Sequence, residues 1–246
     1  MRIMIKNISL LLFAFCLHAS IDIPSQTRQL LVVSSDGFTN NKATLQAYER
    51  KESTWVKVFD PAEVNLGRNG LGWGEGIVEF AHLADEPLKY EGDGKSPAGL
   101  FSLDFFFGYE KKDFQFPYLQ VDGDTLCIDD SSAQEYNRII QEKEDHRFKS
   151  FEFMKRQDRL YYLGIVVGHN KDRLARRGSC IFIHIEKYTQ ALPGADPLSA
   201  RPKALPTAGC TSMHEDRLLE IMRWLDKSKD PLLLQLPDLY LQEGFK

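Results

Sequence analysis

From Gln29 the chain alternates apolar and polar positions in short runs, "QLLVVSS", "KATLQAYER" and "TWVKVFD", with Asp-Gly and Asn-Asn between the first two. A period of two with such punctuation predicts strands joined by turns. "NLGRNGLGWGEG", residues 65–76, is denser in glycine than a regular element tolerates and is expected to be an ordered loop. "EGDGKSPAGLFSLDFFFGYE" leads through Pro97 and Gly99 into an aromatic strand. "RLYYLGIVVGHN" and "GSCIFIHIEKY" are nearly continuous β-branched and aromatic runs, the pattern of central strands, and "PLLLQLP" supplies a last one.

Helical spacing is confined to two places. "SSAQEYNRIIQEKEDHRF" opens on a Ser132/Glu135 capping box and puts Tyr136, Ile139 and Ile140 on one face. After "LPTAGCTSMHED", a Ser212/Glu215 capping box precedes Leu218, Ile221, Met222 and Leu225 at helical intervals. The pattern as a whole predicts a β-rich α+β domain.

The N-terminus changes the compartment rather than the fold. Arg2 and Lys6 precede an apolar run from Ile8 to Leu17 that ends in small residues, which reads as a secretory signal peptide over residues 1–20. The run is shorter than the roughly 20 apolar residues of a spanning helix, and no later segment comes closer, so no membrane span is expected in the processed chain. The expected address is exported, periplasmic or associated with the cell envelope. Processing takes the formal charge from 31 − 35 = −4 to 29 − 35 = −6, a balance that argues against nucleic acid as partner. No linker, repeat or low-complexity stretch divides what remains, so one domain is expected.

Processing leaves three cysteines, an odd number, so at least one thiol is free or bridged to another molecule. Cys127 and Cys180 lie in the strand-like runs "DTLCID" and "SCIFIHI", where either buried thiols or a mutual disulfide is compatible with the pattern. Cys210 lies instead in a polar, turn-like setting directly before a helix start. A helix N-terminus favours thiolate, and Gly209 leaves room for a carbonyl to approach backbone N–H groups that would hold an oxyanion, so Cys210 is the candidate nucleophile. Its expected base is His184, which strand alternation places on the face of Phe182 and Glu186, opposite Ile181, Ile183 and Ile185. A hydrogen-bonded core histidine is the competing reading of His184. His169, at the end of a strand, is a candidate cleft residue, and His214 falls in the first helical turn. No HExxH or CxxC spacing occurs, so neither metal nor other cofactor is expected.

His184, "PTAGC" and their surroundings resemble the L,D-transpeptidase catalytic domain of YkuD type, exported bacterial enzymes that act on peptidoglycan stem peptides. "GRNGLGWG", "GDGKSPAGLFSL", "SSAQEYN" and "RGSCIFIHI" are similar to one branch of that family, in the same order. The resemblance implies a catalytic domain over residues 28–237, followed by a C-terminal tail at 238–246. Its fold would be a YkuD-like β-sandwich with a helix after the catalytic cysteine. It also implies Cys210 as nucleophile and His184 as base, with Thr207 and Gly209 in the motif; Thr211 is grouped with them as shaping the turn and oxyanion site, and His169 at a strand end, Lys95 in a loop and Ser179 are the candidate substrate contacts. Two departures accompany it. Ala208 stands where the best-known motif has histidine, with Thr211 and Ser212 after the cysteine, and the segment from Ile185 to Pro206, containing "LPGADPLSARP", is longer than usual.

On this reading Cys210 would attack the carbonyl of the L-centre of the third stem residue, expel D-alanine and form a thioester. An amine acceptor then gives cross-linking, making the chain a transferase of cell-wall biogenesis and cell shape, whereas water gives L,D-carboxypeptidase activity. A non-catalytic wall-binding module is the contrasting reading and predicts a missing nucleophile or base.

Overall fold

The structure, a computed structural model, describes residues 20–143, 145–189 and 203–246. The signal-peptide reading, up to residue 19, and "LPGADPLSARP" lie outside the described residues. Along the chain run β1 (Gln29–Ser35), β2 (Lys42–Lys51), β3 (Thr54–Lys57), β4 (Ala62–Asn65), β5 (Leu71–Trp73), β6 (Ser96–Gly108) and β7 (Tyr118–Gln120). They are followed by β8 (Thr125–Cys127), β9 (Ile139–Gln141), β10 (Glu152–Phe153), β11 (Leu163–Val167), β12 (Phe182–Ile185), β13 (Thr211–Met213) and β14 (Leu232–Pro237). One α-helix, α1 (Glu215–Trp224), is found among the described residues.

Eight strands close on themselves in the order β1-β14-β6-β11-β12-β13-β4-β2, with β2 returning to β1. This overturns the expected β-sandwich of an α+β domain. β1 pairs on both edges, parallel to β14 and antiparallel to β2, so the ring has no free edge at this seam. Besides β1 with β14, β12 with β13 is a parallel pair within the ring. β3, β5 and β7 attach to it from outside this circuit.

Alternation along the strands divides the residues between two cores. Phe106, Ile165, Ile181 and Ile183 belong to the main core with Leu31, Leu100, Leu234 and the buried face of α1, Leu218, Ile221 and Met222. Phe107, Phe182, Tyr161 and Cys210 point the other way, into a second core with Val121, Cys127 and Met154. A three-stranded sheet, β10-β8-β9, contributes to this second core, and the disulfide Cys127–Cys180 staples it to the segment entering β12. Burying an isoleucine contributes about 2 kcal/mol, and a one-residue slip of β12 would eject Ile181 and Ile183 together, so burial fixes which face His184 occupies. The disulfide fits an oxidising compartment. No helix among the described residues is long and apolar enough to cross a membrane.

Two local expectations fail for identifiable reasons. The described residues of 131–148 do not form the expected helix. Asp130 Oδ1 takes both the N–H and the hydroxyl of Ser132, at 2.9 and 2.6 Å, drawing the capping serine into a turn. Asn137 adopts φ 58° and Ile139–Gln141 pairs with β8 as β9. The glycine-dense stretch is not wholly loop, since Leu71–Trp73 pairs in parallel with Ser96–Ala98. The glycines there answer close approach of backbones: a Cβ on Gly67 would lie 2.3 Å from the Gly94 carbonyl oxygen, and one on Gly70, at φ 75°, 2.0 Å from that of Phe38. At the C-terminus the Phe245 ring packs edge-on against Tyr48 and Trp55, with centroids at 5.1 and 5.9 Å.

Candidate active site

Cys210 ends a short loop and enters β13. Thr207 Oγ1 donates to the Cys210 carbonyl at 2.6 Å and accepts the Gly209 N–H at 3.1 Å, closing the turn. Ser96 Oγ donates to the same carbonyl at 2.8 Å and accepts from Gly67 N at 2.9 Å, which ties the turn to β6 and the glycine-rich segment. β12 and β13 run in parallel with His184 opposite Ser212 and Ile183 opposite Thr211, so Cys210 falls beside Phe182, and His184 lies one pleat further on the same face.

Cys210 and His184 thus line one cleft of about 320 Å³ with Lys89, Glu91, Asp129, Glu152, Arg156 and Tyr161, among others. Among the described cysteines Cys210 is the free one, and it is 8% exposed. Its sulfur accepts the Phe182 N–H at 3.3 Å and donates to the Cys180 carbonyl at 3.4 Å. His184 Nδ1 lies 2.7 Å from the Ile185 carbonyl, which can only accept, so Nδ1 carries the proton and Nε2 is left as the basic nitrogen. The Tyr161 ring stands edge-on to the imidazole at 5.4 Å, its hydroxyl donates to Glu152, and the Arg156 guanidinium lies over its ring at 5.2 Å.

Burial decides the protonation states. It pushes the Cys210 thiol up to about 12, with Glu152 adding in the same direction, and the Phe182 N–H offsets only part of this. Burial pulls His184 down to about 4. The resting pair is therefore a neutral thiol and a neutral imidazole, not an ion pair. The sequence reading expected the dipole of the following helix to favour thiolate. That expectation fails because Ser212 is not the cap: it pairs within β13, and α1 starts later, capped by His214, whose ring accepts from Asp216 N at 3.3 Å.

Of the residues singled out in the sequence, Thr207, Gly209 and Ser179 join Cys210 and His184 in the cleft lining. Ser179 donates to Glu91 Oε2 at 2.7 Å, an oxygen that also receives the Tyr136 hydroxyl at 2.5 Å. Thr211 turns away and donates to Gln235 Oε1 at 2.7 Å inside the protein. Lys95 is not part of the cleft lining; its ammonium donates to the Asn69 carbonyl at 3.1 Å. His169 is also outside that lining, 2% exposed, with Nε2 on the Arg177 carbonyl at 2.9 Å. Pattern reading missed Lys89, Glu91, Glu152, Arg156 and Tyr161. Apart from Tyr161, in a recognisable strand run, each sits in a loop or short strand where nothing in the local pattern marks it. A wider groove of about 1490 Å³ along α1, lined by Glu63, Glu186, Lys203 and Trp224, holds neither Cys210 nor His184.

No family model, curated protein or solved structure matches this chain.

Proposed function

We propose that the protein is an exported cysteine acyltransferase of the cell envelope, acting on peptidoglycan stem peptides as an L,D-transpeptidase. The observation that carries the reading is that the free Cys210 thiol and the His184 imidazole line one cleft, Cys210 and His184 standing one pleat apart on the parallel β12–β13 pair. The motif resemblance around "PTAGC" supplies the substrate class.

With thiol and imidazole both neutral at rest, proton transfer accompanies attack rather than preceding it. As Cys210 Sγ bonds to the carbonyl of the L-centre, its proton passes to His184 Nε2. The imidazolium returns it to the amine of the departing D-alanine, leaving a thioester on Cys210 and neutral imidazole. His184 then takes a proton from the acceptor. The acceptor attacks the thioester, the C–S bond breaks and the imidazolium returns its proton to Cys210 Sγ; an amine yields a new amide bond, whereas water yields a free carboxylate.

Incubation with purified tetrapeptide muropeptides, followed by product mass, tests the reading. Cross-linked dimer with released D-alanine is expected, and trimmed tripeptide alone would assign water as the acceptor. Unchanged tetrapeptide, together with no Cys210 adduct after carbapenem treatment, would overturn it.

A further inference from the structure

Lys89 lies in this cleft and has no part in the mechanism above. Its side chain is 3% exposed, and its ammonium donates to the Tyr90 carbonyl at 2.6 Å and to Asp93 Oδ1 at 2.7 Å. An ammonium carries three donors, and among the described residues the third has no partner. A buried charged donor gains most from a charged acceptor, so this third N–H suits an anionic ligand atom. The ammonium lies close to two glycines: a Cβ on Gly178 would lie 3.0 Å from Lys89 Cε, and one on Gly209 would lie 3.8 Å from Nζ. The absence of a side chain at Gly209 thus leaves open the space between this ammonium and the loop that carries Cys210.

The other cations of the cleft are differently placed. Arg156 is clamped by both oxygens of Asp158, at 2.9 and 2.7 Å, and the Lys187 side chain is 56% exposed. Asp93 does more than neutralise Lys89. Oδ1 also accepts from Lys95 N at 2.8 Å and Oδ2 from Tyr90 N at 2.7 Å, so the carboxylate holds the loop as well as the ammonium, and Lys89 remains one of the residues lining the cleft.

We propose that Lys89 forms an anion subsite beside Cys210, in which its third N–H holds a carboxylate of the ligand over Gly209 while the thiol reacts with the neighbouring atom. The subsite rests on the Cys210 cleft being a ligand site, but not on acyl transfer taking place there. It selects ligands that carry a negative charge close to the bond attacked.

Paired alkylating reagents that differ only in charge test it. Iodoacetate and iodoacetamide both form an S–C bond to Cys210 and expel iodide, with the thiol proton lost to solvent. Both need the same thiolate, so the ratio of their rates cancels its abundance and reads only the preference for negative charge. With intact mass as readout, Lys89→Met is expected to lower the iodoacetate-to-iodoacetamide ratio about tenfold relative to wild type. Gly209→Ala, which fills the space before Nζ, is expected to lower it in the same direction. In the wild-type protein, acetate is expected to protect Cys210 from iodoacetate, and acetamide is not; this arm stands even if a variant fails to fold. An unchanged ratio in Lys89→Met, equal protection by acetate and acetamide, or alkylation by neither reagent would each overturn the subsite. Because no acyl transfer enters the assay, its outcome is separate from that of the muropeptide digestion.

Discussion

Phe182 and Cys210 are joined across the β12–β13 seam: the backbone N–H of Phe182 donates to Cys210 Sγ at 3.3 Å. The same thiol directs its proton at the Cys180 carbonyl, so two backbone groups of one short segment set its orientation. The sulfur is fixed in orientation while its burial opposes ionisation, and the first two predictions test the second property.

Thiolate formation on Cys210 needs strongly alkaline solution, since burial holds the thiol at about 12. Alkylation by iodoacetamide is expected to rise about tenfold per pH unit from about pH 6 to about pH 10, without a plateau. A plateau below about pH 9 would mean a thiolate–imidazolium pair and would contradict a neutral resting state.

Glu152 raises the thiol further through its charge, and its carboxylate accepts the Tyr161 hydroxyl. Glu152→Gln keeps an acceptor for Tyr161 while removing the charge. Cys210 alkylation at about pH 9 is expected to quicken roughly three- to tenfold. An unchanged rate would show that Glu152 does not act on the thiol.

His169 and His184 are both held neutral, each falling from 6.5 to about 4 through burial. Between these values the unfolded chain binds more protons than the folded one, so stability is full above pH 6.5 and drains away as pH falls towards 4. Each histidine accounts for up to about 3 kcal/mol of this loss. Glutamine at position 169 retains an N–H for the Arg177 carbonyl and cannot be charged. Urea titrations at about pH 7 and about pH 4.5 should therefore show a smaller loss for His169→Gln than for wild type, and equal losses would refute the assignment.

The Cys127–Cys180 bond spans a sequence separation of 53 residues. Loop-closure entropy alone assigns it about 4 kcal/mol. The Cys127→Ala/Cys180→Ala protein is expected to show a correspondingly lower urea midpoint without added reductant. Wild type should converge on it when reduced, and a midpoint equal to that of the oxidised wild type would sink the prediction.

Strand identity was readable where burial is one-sided or complete, as in "QLLVVSS", "IFIHI" and "PLLLQLP", because apolar spacing there is the direct consequence of which face is dry. His184 could be placed for the same reason. What escaped the pattern depends on partners distant in sequence. Ser212 satisfies a capping rule locally, yet pairing opposite His184 claims its backbone, and Ser132 loses its capping role to Asp130. Glu152 and Tyr161 meet because β10 is positioned by its pairing with β8, a partner that the local pattern does not reveal. Ring closure was likewise invisible, since a sandwich and a barrel share the same alternation and differ only in whether β1 finds two neighbours.

The seam that closes the ring has a consequence in time. Leu30 is registered against Leu232, so one of the earliest strands needs one of the last before its second edge is covered. A chain delivered from its N-terminus holds the β1 hairpin with β2 open for most of its emergence, and closure is the slow, long-range step of assembly. The thiol acquires its backbone clamp, the Phe182 N–H and the Cys180 carbonyl, once β13 is seated beside β12.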